Sequence, residues 1–188
     1  MILTILSYFD TCFGPKIFLQ IPNVKQHLDL EYIPFTMDIY KEGFFIHEYG
    51  EFKTANLIFE IKDPLARGRI NRIMMSIVSI HEDYNFNLTS FKDIMDFFVG
   101  EFKHIPNLYK GFYYDSIQDA AEPFHEIKES MYSFHQSLDI YKQNMSKITA
   151  YSLSPIGKSN IITYLQEKFS QSRQPIREIT LNQTHKNL

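Results

Sequence analysis

Ile73-Met74-Met75-Ser76-Ile77-Val78-Ser79-Ile80-His81, and the change of pattern just beyond it, decide the fold. The run is almost continuously apolar, as expected of a strand covered on both faces. The period then changes. Ser90 stands three residues before Asp93, a spacing suited to capping a helix, and Phe91, Ile94, Met95, Phe98 and Phe102 follow at helical intervals until Pro106. A doubly covered strand feeding an amphipathic helix predicts an α/β domain with helices laid on a sheet.

Toward the N-terminus, Thr54–Ile61 and Gly43–Tyr49 read as further strands. Ile2–Phe9 and Lys16–Ile21 form a hairpin pattern around Gly14-Pro15, where Gly supplies unusual φ and Pro fixes the turn. A short helix is predicted within Val24–Tyr40, interrupted by Pro34. Toward the C-terminus, Ala120, Phe124, Ile127, Met131, Phe134, Leu138, Tyr141, Met145 and Ile148 alternate steps of four and three, predicting one helix over about Asp119–Ile148. Such a helix is ~40 Å long, about twice the length of a five-residue strand. Its C-terminal half is therefore expected to overhang the sheet and to meet the terminal segment or a partner chain. A shorter amphipathic helix is expected at about 156–170, carrying Ile161, Ile162, Leu165 and Phe169, and a flexible polar tail beyond it. The expected architecture is a five-stranded, mainly antiparallel sheet flanked by helices, with a long C-terminal helix and a short extra one. Residues 1–148 form the domain and 149–188 an extension.

Composition narrows the function. Apolar residues make up 44% of the 188-residue chain and charged residues 22%, ordinary globular values. A net charge of −3 gives no case for nucleic acid, whose binders carry a basic surplus. The lone Cys12 excludes an internal disulfide and a multi-thiolate zinc site, and is expected to be a small buried side chain. Met1–Phe9 lacks a basic flank and stops at Asp10, so neither a signal peptide nor a transmembrane segment is expected. A cytoplasmic protein follows, in which the sequons at Asn87, Asn144 and Asn182 carry no meaning.

Enzyme signatures fail on inspection. Ser152-Leu153-Ser154-Pro155-Ile156-Gly157-Lys158-Ser159 ends like a phosphate-binding loop, but Ser152 occupies the position that needs glycine and Pro155 removes a cradle N–H. The seven histidines form no metal-binding pair; His125 and His135 are ten residues apart and fall on different helix faces. No resident cofactor is expected.

One segment remains. Lys62-Asp63-Pro64-Leu65-Ala66-Arg67-Gly68-Arg69 links the fourth and fifth strands, Asp63-Pro64 breaking the strand and Gly68 letting the chain bend beside Arg67. With Arg72 it holds four cations against Asp63, a local charge of +3 in a chain of −3. A cationic loop at a sheet end can offer a guanidinium fork to phosphate oxygens; solvated loop arginines are the plainer account.

Two segments carry a family resemblance. Tyr8-Phe9-Asp10 through Gly14-Pro15-Lys16-Ile17-Phe18 resembles the first hairpin of the folliculin and nitrogen permease regulator-like (longin–DENN) group. Phe59-Glu60-Ile61-Lys62-Asp63-Pro64-Leu65-Ala66-Arg67-Gly68 is similar to the folliculin segment whose Ala-Arg-Gly carries an arginine finger. The resemblance covers roughly residues 1–148, departs from the family at Arg69-Ile70-Asn71, and comes without the DENN domain that follows in folliculin. It implies a longin-type (profilin-like) fold that pairs with a second longin domain, as homo- or heterodimer. It also implies a loop presented to a Rag-, Arf- or Ras-like small GTPase, with GTP and Mg²⁺ on the GTPase and membrane association only through partners. Arg67 would be the catalytic residue. Lys62, Asp63, Ala66, Gly68, Arg69 and Arg72 would contact the GTPase, and Gly14 and Pro15 would be structural. The alternative is a non-catalytic longin adaptor in a trafficking or GTPase-regulatory complex.

Overall fold

The computed structural model describes residues 1–24, 29–80 and 87–147, together with Thr163. The predicted 156–170 helix (apart from Thr163), the tail and the Ser152–Ser159 motif lie outside the described residues. In chain order the elements are β1 (Ile2–Asp10), β2 (Gly14–Ile21), a 3₁₀ segment (Leu30–Phe35) running into α1 (Thr36–Ile39), β3 (Gly43–Glu48), β4 (Phe52–Lys62) and β5 (Ile70–Ile80). A 3₁₀ turn (Leu88–Phe91) then leads into α2 (Lys92–Phe102), followed by α3 (Leu108–Gly111) and α4 (Ala121–Lys147).

The strands form one sheet in the order β2-β1-β5-β4-β3, and every neighbouring pair is antiparallel. β5 lies at its centre, which is why its sequence is apolar on both faces: Met75 and Ile77 point to one side, Met74 and Val78 to the other, and all four are buried. On the first side α2, α3 and α4 cover the sheet through Phe98, Phe102, Leu108, Ile127, Met131 and Phe134. Phe98 lies 4.5 Å from Phe134 and 5.4 Å from Phe102 between ring centroids, spacings at which aromatic pairs attract. Burying each such ring contributes ~1.5–3 kcal/mol relative to leaving it exposed. The 3₁₀ segment and α1 cover the other side with Leu30, Ile33 and Met37. This is the expected α/β class, and the antiparallel sheet flanked by helices is consistent with a longin-type fold.

Several local expectations need correction. The cap ahead of α2 is Asn87, whose side chain accepts from the Thr89 N–H, while the Ser90 hydroxyl donates to the Asn87 carbonyl. Cys12 is exposed rather than buried, because it sits in the β1–β2 turn. α3 had no periodic signal, being a single turn; it packs so tightly that a Cβ on Gly111 would lie 2.5 Å from the Ile127 side chain. The sheet is also longer than assumed. The eleven residues of β5 span ~36 Å, close to the ~40 Å of α4. Burial along α4 continues through Leu138; the side chains of Tyr141 and Met145, and the whole of Ile148, lie outside what is described.

α4 is also joined to the sheet by a polar contact. The buried His135 places Nδ1 2.9 Å from the Thr4 hydroxyl on β1, and its Nε2 lies 3.7 Å from Asp139. Burial lowers the imidazole pKa, partly opposed by Asp139, so the native state favours neutral His135. The sign follows from linkage: an unfolded imidazole, titrating near 6.5, takes up a proton that the native one resists. Stability should be complete above about pH 6.5 and should fall as the pH drops toward the lowered native value. Urea unfolding measured between neutral and mildly acid pH should show this slope for the natural chain, and a flatter one for His135→Gln.

Candidate functional site

The loop between β4 and β5 is built around one carboxylate. Asp63 is completely buried (0% exposed), so its oxygens must be satisfied from within. Oδ1 accepts the backbone N–H groups of Leu65 (2.9 Å) and Ala66 (3.2 Å); Oδ2 accepts from Asn71 Nδ2 (3.3 Å) and the Tyr113 hydroxyl (2.8 Å). Backbone bonds close the rest of the turn, from the Asp63 N–H to the Arg69 carbonyl (3.0 Å) and from the Arg69 N–H to the Ala66 carbonyl (2.9 Å). Pro64, with no N–H of its own, fits the position ahead of these donors.

Tyr113 couples this loop to the stretch between α3 and α4. Its hydroxyl pKa is raised, chiefly by burial and then by donation to the Asp63 carboxylate, so it remains a protonated donor. The charge of Asp10, in the β1–β2 turn, adds to the same rise. Asp10 itself is held down to about 2, first by the Lys16 ammonium 2.7 Å away and further by the N–H groups of Cys12 and Phe13.

The residues singled out in the sequence divide into two groups. Arg67 is exposed, with no ion pair or hydrogen bond to any other described residue; Lys62, Gly68 and Arg69 are exposed beside it. Asp63 and Ala66 face inward and shape the loop instead of offering a surface. Arg72 belongs to β5, opposite Glu60, and its Nη2 donates to the Tyr40 carbonyl at 2.9 Å, which commits it to holding the end of α1. The bend beside Arg67 does not depend on Gly68: the left-handed residue is Arg69 (φ 57°), and the space around Gly68 is open. Gly14 does need its freedom, at φ 79°, and Pro15 is buried opposite Phe9.

Beside the loop lies an open groove of about 490 Å³, with Ile61, Pro64, Ile105 and Leu108 giving it apolar walls and Lys62 and Lys103 at its margin. Among the described residues, no group of three or more His, Cys, Asp or Glu side chains could hold a metal ion, and no helix is long and apolar enough to cross a membrane. No protein-family model and no curated protein matches the chain.

The sequence signal for the loop's architecture was an aspartate with free backbone N–H groups two and three residues on. The role of Tyr113, fifty residues away, had none. Tyr113→Phe removes a hydrogen bond to a buried carboxylate and should destabilise the fold by about 1.5–3 kcal/mol. Urea unfolding measures that loss, and faster amide exchange at Leu65 and Ala66 locates it in the loop. Asp63→Asn, which turns a donor toward Asn71 and Tyr113, should cost at least as much.

Proposed function

We propose that this chain is a GTPase-activating subunit, with Arg67 inserted in trans into the nucleotide site of a Ras-like GTPase. The observation that carries this reading is an exposed arginine with no partner among the described residues, on a loop already fixed by Asp63. Fixing the loop before the encounter lowers the ordering cost of placing a guanidinium against phosphate. The guanidinium would neutralise charge developing on the γ-phosphoryl oxygens, worth ~10³–10⁵ in rate or roughly 4–7 kcal/mol. GTP and Mg²⁺ would belong to the GTPase. The resemblance of the Ala66-Arg67-Gly68 segment to the folliculin finger supports the same reading.

Assembly with a second longin domain belongs to this proposal, as does approach to endomembranes through partners. β3 has a single strand neighbour in the sheet and so leaves backbone groups that another chain can pair. That open edge also favours the second reading, a non-catalytic adaptor in which Arg67 serves only docking.

Single-turnover GTP hydrolysis by a panel of Ras-like GTPases separates the two. One GTPase should be accelerated by the natural chain, with Arg67→Ala losing ~10³-fold or more of the acceleration. Arg67→Lys should recover little of it, an ammonium lacking the planar fork. Acceleration of no GTPase in the panel would favour the adaptor reading, and equal acceleration by the natural chain and Arg67→Ala would contradict both readings.

A further inference from the structure

The β1–β2 and β4–β5 turns lie at the same end of the sheet. β1 runs antiparallel to β5, with Tyr8 opposite Ile73, and Lys62 at the end of β4 lies opposite Ile70 at the start of β5. In the strand order β2-β1-β5-β4 the two turns are two strand spacings apart, or ~10 Å. They are built alike. In each, an aspartate accepts the N–H groups two and three residues on: Asp10 those of Cys12 and Phe13, Asp63 those of Leu65 and Ala66. Each turn thrusts a large apolar side chain into solvent, Phe13 (81% exposed) and Leu65 (56% exposed), with Ile70 (47% exposed) at the foot of the second.

Exposed apolar side chains scattered singly are ordinary, but several gathered at one end of a sheet mark a surface that a partner covers. The charges around them indicate what. Both turn carboxylates are already engaged, Asp10 in a part-exposed ion pair with Lys16 and Asp63 buried within the loop, while Lys62, Arg67 and Arg69 are exposed. Lys16 Nζ also sits 5.1 Å from the centre of the Phe13 ring. The outward surface is therefore apolar and cationic, complementary to a partner with an apolar spot beside a strongly anionic centre. A GTPase carrying a nucleoside triphosphate has that chemistry.

We propose that Phe13, Leu65 and Ile70 form the docking patch that seats the triphosphate-loaded GTPase against the Arg67 loop. The inference rests on the finger reading above and assigns affinity to a second turn that carries no catalytic group. Phe13 and Leu65 supply binding, and Arg67 supplies rate.

The test measures binding and hydrolysis separately. Ras-like GTPases loaded with a non-hydrolysable GTP analogue are titrated with the natural chain, Phe13→Ser/Leu65→Ser, Phe13→Leu and Arg67→Ala; hydrolysis at saturating chain is followed in parallel. The double variant, whose altered side chains are exposed, should keep its thermal unfolding midpoint while Kd rises tenfold or more. At saturation its hydrolysis rate should match that of the natural chain, and Phe13→Leu should retain the natural Kd. An unchanged Kd in the double variant overturns the patch while leaving the finger standing. Binding that depends on Phe13 without accelerated hydrolysis overturns the finger and retains the patch. If no GTPase binds, or if Phe13 is needed only for binding to phosphatidylcholine–phosphatidylserine vesicles, the proposed occupant is wrong.

Discussion

A carboxylate with no exposed surface is expensive to keep in a protein unless its oxygens are fully engaged. Asp63 meets that condition with two backbone N–H groups, an amide and a phenol. Much else follows from it. The β4–β5 connection is a defined turn, Arg67 is presented outward, and the single-turn α3 has a reason to stay where it is, since Tyr113 just beyond it completes the set of donors. Releasing Asp63 would uncouple the β4–β5 loop from the helical layer.

The fold supplies a rigid base for that turn. From Ile73 onward β5 is paired on both edges and buried on both faces, and Ile70–Arg72, at the foot of the loop, extend that anchored strand while paired with β4. The other attachment, β4, is paired with β5 over its whole length, from Phe52 to Lys62. Precision at Arg67 thus derives from the sheet, and the aspartate carries it across the seven residues between the strands.

How legible this was differed with the range of the interaction. β5 and the α4 register were readable because period and hydrophobicity are local properties, and burial of Ile127, Met131, Phe134 and Leu138 matches the pattern. The cationic loop was readable as a composition shift. What it conceals was not: Asp63 and Ala66 look like surface residues in sequence, and only the fold turns them inward. Arg72 looked like part of the same cluster until β5 proved to begin at Ile70, which hands its guanidinium to Tyr40. Phe13 gives no signal in sequence, because a single aromatic between Cys12 and Gly14 has no period; only the sheet order brings its turn near that of Leu65.

On the proposed function, a fixed loop delivers one guanidinium to the transferred phosphoryl group. An arginine acting on the transition state strengthens binding of its analogue more than binding of the ground state. The most direct measurement is the affinity of the chain for a GTPase loaded with GDP alone and with GDP plus aluminium fluoride. Binding to the fluoride complex should be much tighter, and Arg67→Ala should lose that difference. Equal affinity for the two states, or a preference that survives removal of Arg67, would contradict it.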